Sequence, residues 1–155
     1  MPCPKCFEKP GYHSFAKIGK VNDTTIFYTA PAKSLDKNED GQKLKHISSH
    51  IEEEPENKHW IWVVDCVAMT MEHCTEMSFN KGIVDILSTN KYVQEIWILR
   101  PNVWIKTAIA FFQTFSTTKI FSNIFFIEGS KLEQLENLRK RGADGKVANW
   151  LMQQE

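Results

Sequence analysis

Two kinds of pattern alternate along the chain: short runs in which nearly every residue is apolar, and longer stretches in which apolar residues recur every three or four positions. His59 to Asp65 (HWIWVVD), Val93 to Leu99 (VQEIWIL) and Asn123 to Ile127 (NIFFI) are of the first kind. Rich in β-branched and aromatic residues, they predict strands covered on both faces. Ser14 to Ile18 and Thr24 to Thr29 alternate more regularly, and the Val21-Asn22-Asp23 link between them suits a tight turn, so an antiparallel hairpin at a sheet edge is expected. Helical spacing appears in Ser34 to Glu54, where Leu35, Leu44, Ile47 and Ile51 share a side, in Ser78 to Leu87, and from Pro101 onward. Ser130 to Arg141 repeats Leu132, Leu135 and Leu138 after a Ser130/Glu133 capping box and stops at Gly142; Lys146 to Gln154 adds a short helix held by Val147, Trp150 and Leu151. Strands separated by helices imply right-handed crossovers. The expected fold class is α/β, a mixed and mostly parallel sheet of about five strands with helices on its faces.

Val103 to Phe115 (VWIKTAIAFFQTF) departs from the simple amphipathic scheme. Trp104, Ala108, Phe111 and Phe115 make one apolar stripe, and Ile105, Ile109 and Phe112 make another beside it. A helix lying on a sheet needs an apolar arc of only about 100°. Each extra aromatic carries roughly 150–250 Å² that costs about 25 cal/mol per Å² to leave in water, so a cover is expected. The candidates are another helix, a partner protein or an apolar ligand, and the plainest of them is the C-terminal helix with Trp150.

Composition narrows the classes. A chain of 155 residues with 42% hydrophobic and 25% charged positions reads as one globular domain, and 19 basic against 19 acidic residues give no support to nucleic-acid binding. Cys3, Cys6, Cys66 and Cys74 are too few for a disulfide scaffold, and the first residues lack a basic region followed by an apolar run, so reduced thiols and a cytoplasmic location are expected. The apolar stretch from Val103 is broken by Lys106, Thr107, Gln113 and Thr114 and is too short to span a bilayer.

Three clusters could carry other chemistry. Cys3 and Cys6 have the C-x-x-C spacing of half a zinc site, whose other ligands would have to come from His13, His73, Cys66 or Cys74; a solvated thiol pair is the alternative. His46 and His50, four apart and near Glu53 and Glu54, could share a metal, but a solvated helix face is the expected state. Asp65 and Cys66 sit where open α/β sheets hold ligands, with His73 and Cys74 close behind, which admits an enzyme; a loop-capping role for Asp65 is the expected one. No Gly-rich phosphate loop and no G-x-S-x-G elbow is present.

The order of these segments resembles a CRAL-TRIO domain, the fold of lipid-exchange proteins and of the related BCH interaction domains. The residues that carry the resemblance are the strand ending Trp62-Val63-Val64-Asp65, the segment from Tyr92 to Pro101, Trp104-Ile105-Lys106, the apolar helix closing on Phe115-Ser116, and Thr118 to Ser122. The strand Ile124 to Ile127 and the Leu-rich helix Lys131 to Leu138 complete it. The N-terminal helical lobe of the lipid-transfer members is absent, Asn123 stands where a basic residue is usual, and the glycine-rich tail is missing, so the chain is similar to the minimal, BCH-like form. The division that follows is an irregular Cys-containing arm (1–13), a CRAL-TRIO-like domain (14–141) and a C-terminal docking segment (142–155).

The resemblance implies a non-enzymatic protein that binds or transfers a lipid or other small hydrophobic ligand beneath a gate helix. Trp104, Ile105, Ala108, Ile109, Phe111, Phe112 and Phe115 would line the site from above, with Trp62 and Val64 below. The second function it implies is a protein interaction module that docks a partner, as in small-GTPase pathways, or a second copy of itself. Peripheral contact with a membrane is compatible with either. No cofactor is expected apart from the zinc considered at Cys3 and Cys6.

Overall fold

The structure, a computed structural model, describes residues 8–9, 12, 14–33, 40–53, 59–72, 93–115 and 123–154. Asn22 and Asp23 both take left-handed backbone (φ 48° and 67°), the sign pattern of a type I′ turn, and so fold β1 (Phe15–Val21) back on β2 (Thr24–Thr29) as an antiparallel hairpin. β2 then pairs in parallel with β3 (Trp60–Asp65), β3 with β4 (Val93–Leu99), and β4 with β5 (Ile124–Ile127). The strands lie side by side in chain order, and the antiparallel member stands at one edge. Among the described residues four α-helices accompany them: α1 (Asp40–Glu52), α2 (Val103–Phe115), α3 (Lys131–Lys140) and α4 (Gly145–Met152).

Parallel register turns the near-continuous apolar runs into rows across the sheet. Phe27, Trp62, Ile96 and Ile124 lie side by side, as do Thr29, Val64, Ile98 and Phe126 one step along. Residues of opposite parity, Tyr28, Val63, Trp97 and Phe125, form rows on the other face. Each face has its own core. Ile47 and Ile51 of α1 and Ile105 and Ile109 of α2 join the first set, whereas Leu135 and Leu138 of α3 and Val147, Ala148 and Leu151 of α4 join the second.

That division decides what covers the apolar helix. The C-terminal helix, the plainest cover expected from sequence, lies on the opposite face of the sheet from α2. Leu151 and Ala148 are fully buried there, and Trp150 meets Tyr28 edge-on with ring centroids 4.9 Å apart. The cause is local. Ser130 caps α3 through the expected box with Glu133, and Gly142 (φ 96°) closes its end, with Gly142 N–H donating to Arg139 O (2.9 Å) and Ala143 N–H to Leu138 O (3.0 Å). This Schellman closure and the Asp144 cap on Val147 N–H (2.8 Å) hold α4 beside α3.

One boundary differs from expectation. Pro101 precedes α2 instead of opening it, because Asn102 is the capping residue: its Oδ1 accepts from Ile105 N–H (3.0 Å). The first part of the Ser34 to Glu54 helix, the Ser78 to Leu87 helix and the Thr118 to Ser122 connector lie outside the described residues, as do Cys3, Cys6, Cys74, His13 and His73.

Candidate functional site

Beneath α2 the sheet offers a floor of Trp62 and Val64 from β3, Ile96 and Ile98 from β4, and Ile124 and Phe126 from β5. A continuous apolar floor arises because alternate residues of three adjacent parallel strands are all large and uncharged. The start of α2 is tied down by polar contacts. Asn102 Nδ2 donates to Met69 O (3.0 Å), Lys106 Nζ pairs with the Glu128 carboxylate (2.7 Å), and the same ammonium lies over the Phe126 ring, 5.5 Å from its centroid. With both partners of the ion pair half exposed, that contact positions the helix more than it stabilises the protein.

Of the stripes read from the sequence, the Ile105/Ile109 stripe faces the floor. Ile109 is buried, and Ile105 and Ala108 are half-buried. Trp104 and Phe111 belong to the outer side, 46% and 50% exposed, next to Val103 at 64%. The structure therefore brings Ile105, Ile109, Trp62 and Val64 together and leaves Trp104 and Phe111 toward solvent. The side chains of Phe112 and Phe115 lie outside the described set. No described helix is long and apolar enough to cross a membrane.

Asp65 and Cys66, adjacent in sequence, part at the end of β3. Cys66 is buried in the core beneath α2, and Asp65 is fully buried toward the opposite face. There Tyr28 Oη–H donates to Asp65 Oδ2 (2.7 Å) and Val67 N–H to Oδ1 (3.0 Å). Arg100 grips both oxygens through Nε (3.2 Å) and Nη2 (2.9 Å), and Nη2 also donates to Leu151 O of α4 (3.0 Å). Burial first, and then the hydrogen bond to Asp65, push the Tyr28 phenol far above its ordinary range and keep it a donor. Every Asp65 oxygen is engaged, so the carboxylate caps the loop and clamps α4; it has no lone pair poised for proton transfer. Arg100 and Tyr28 were missed in the sequence because they lie 35 and 37 positions from Asp65.

The expectation of a solvated His46/His50 face is corrected. His46 is buried, with Nε2 3.2 Å from Phe15 O, and His50 packs against Phe15 and Phe27; the two imidazoles meet at 4.5 Å. They share the buried arc of α1 with Ile47 and Ile51, one residue on from each. Among the described residues no group of three or more His, Cys, Asp or Glu is placed to hold a metal. Burial holds the pKa of both imidazoles below the ordinary 6.5, and in His50 the neighbouring His46 adds to the effect. The unfolded chain thus binds more protons, and stability falls as pH drops below about 6.5, levelling off under the folded values. Urea midpoints are expected to decrease between about pH 7.5 and about pH 5.5, and His50→Phe should flatten the slope; a midpoint constant over that interval contradicts it.

Comparison with known proteins adds one finding. The family model described as the divergent CRAL/TRIO domain matches residues 23–146, from the β1–β2 turn into α4. A search of the curated proteins finds no match.

Proposed function

We propose, from the premise that this chain belongs to the divergent CRAL/TRIO domain family, that it binds or transfers a lipid or similar small hydrophobic molecule between the floor of the sheet and helix α2. CRAL/TRIO domains are generally lipid-binding or lipid-transfer modules and typically are not enzymes. One observation carries the proposal for this chain. An apolar helix rests on an apolar floor through Ile105 and Ile109, and the protein's own C-terminal helix, which could have sealed it, sits on the other face. An acyl chain entering there gains about 0.8 kcal/mol for each CH₂ removed from water. The proposal takes the cytoplasm as the compartment.

A second reading, an interaction module, draws support from the exposed side of α2, where Val103, Trp104 and Phe111 form an apolar edge. Organic extraction of the natively purified protein followed by mass spectrometry, with the native mass measured in parallel, separates the two. A stoichiometric apolar compound on a monomer is the expected result. An empty protein that takes up no added lipid, or that self-associates through α2, favours the interaction module.

A further inference from the structure

Trp62 lies on the β3 side of the floor, between Phe27 and Ile96 in its row, and is only 7% exposed. Its indole nitrogen is buried and has no hydrogen-bond partner among the described residues. Of the other side chains with an unsatisfied atom, Arg100 bonds through Nε and Nη2, Gln134 through Nε2 to Gly129 O and His46 through Nε2, while the Arg141 guanidinium lies over the Phe125 ring, 3.4 Å from its centroid. Trp62 has a single polar atom, and that atom is the one left without a partner. Trp97, on the opposite face, shows the usual solution, with its indole N–H donating to Glu95 at 2.7 Å. More than nine in ten buried polar groups in folded proteins are satisfied, and an orphaned donor costs about 1–3 kcal/mol, so an exception on a ligand floor calls for an acceptor that the described residues do not supply.

We propose that the indole N–H of Trp62 is the polar anchor of this site, and that the ligand is an uncharged apolar molecule carrying an oxygen acceptor, such as an ester or ketone, in place of a plain hydrocarbon or an ionised lipid. This rests on the ligand-binding reading above. Charge selects the uncharged class. Among the described buried residues, the polar side chains of this face are Thr25, Thr29 and His46, whereas the buried carboxylate and its arginine lie on the other face. His46 is held neutral by its burial. An ionised headgroup drawn down to Trp62 would meet no buried opposite charge among the described residues, while a carbonyl oxygen needs only the one donor.

The test uses the full chain with three probes of matched length: methyl laurate, tridecane and laurate at neutral pH. Binding is followed by titration and by the indole ¹H–¹⁵N resonance of Trp62. The expected result is that methyl laurate binds tightest and moves that resonance downfield, tridecane binds without moving it, and Trp62→Phe weakens methyl laurate about tenfold more than it weakens tridecane. If all three bind and Trp62→Phe changes none of them, or if laurate binds as well as its ester, the anchor is overturned while the lipid-binding reading stands. If neither methyl laurate nor tridecane binds, the lipid-binding reading fails and takes the anchor with it. Should Trp62→Phe fail to fold, the wild-type resonance decides: a shift with the ester alone supports the anchor, and equal or absent shifts with ester and hydrocarbon overturn it.

Discussion

Asp65→Ala is expected to lower the free energy of unfolding by about 3–5 kcal/mol, the loss that follows removal of one partner from a buried ion pair. Asp65 is fully buried and the Arg100 side chain is 12% exposed, so deleting the carboxylate strands a guanidinium where water reaches it poorly. Tyr28 Oη–H and Val67 N–H lose their acceptor in the same stroke. Against a total stability of about 5–15 kcal/mol for a domain, that is a large fraction. Because Arg100 also holds Leu151 O, protection of the α4 amides against hydrogen exchange should fall with it. Tyr28→Phe removes one hydrogen bond to a charged group and should cost less, about 1.5–3 kcal/mol. A loss under about 1 kcal/mol for Asp65→Ala in urea unfolding would contradict the view that this cluster fastens the C-terminal helix to the sheet.

Much of the architecture was legible because local chemistry and global placement agree. The Asn22-Asp23 turn, the apolar runs at Trp60–Asp65 and Val93–Leu99, and the Ser130/Glu133 box each specify an element whatever surrounds it. The site was less legible, for three separate reasons. A helix apolar around most of its circumference does not say which side meets the sheet, and only the floor selects Ile105 and Ile109 over Trp104 and Phe111. The side on which α4 docks depends on the path through α3 and its Schellman end, which no single motif encodes. The satisfaction of a buried donor is a property of three-dimensional neighbours: nothing in WIWVVD distinguishes the orphaned indole of Trp62 from that of any other strand tryptophan. The histidines illustrate a related limit. Polarity suggested solvent for His46 and His50, yet the arc that buries Ile47 and Ile51 takes their neighbours with it.

Ile109→Ala is expected to accelerate hydrogen exchange across α2 by about thirtyfold or more while shifting the global unfolding midpoint far less. Truncating a buried Ile to Ala costs about 2–5 kcal/mol where the surroundings do not relax, and each 1.4 kcal/mol is a factor of ten in an equilibrium. Where that cost appears depends on whether α2 is a fixed wall or a lid. Ile109 is the buried residue among the described side chains of this helix, with Ile105 half-buried beside it, so among those side chains it carries the main apolar contact of the closed position. If the helix lifts as a unit, the lost contacts belong to the opening equilibrium of that unit, and the rest of the sheet, with its second core under α3 and α4, is left intact. A ligand held under the helix should then dissociate faster by a similar factor. Phe111→Glu supplies the contrast: at 50% exposure it should change stability by no more than about 0.5 kcal/mol and leave α2 exchange near the wild-type rate. Equal acceleration of exchange in α2 and in the central strands for Ile109→Ala would instead show that the helix comes off only when the whole domain unfolds, which removes the entry route a lipid needs.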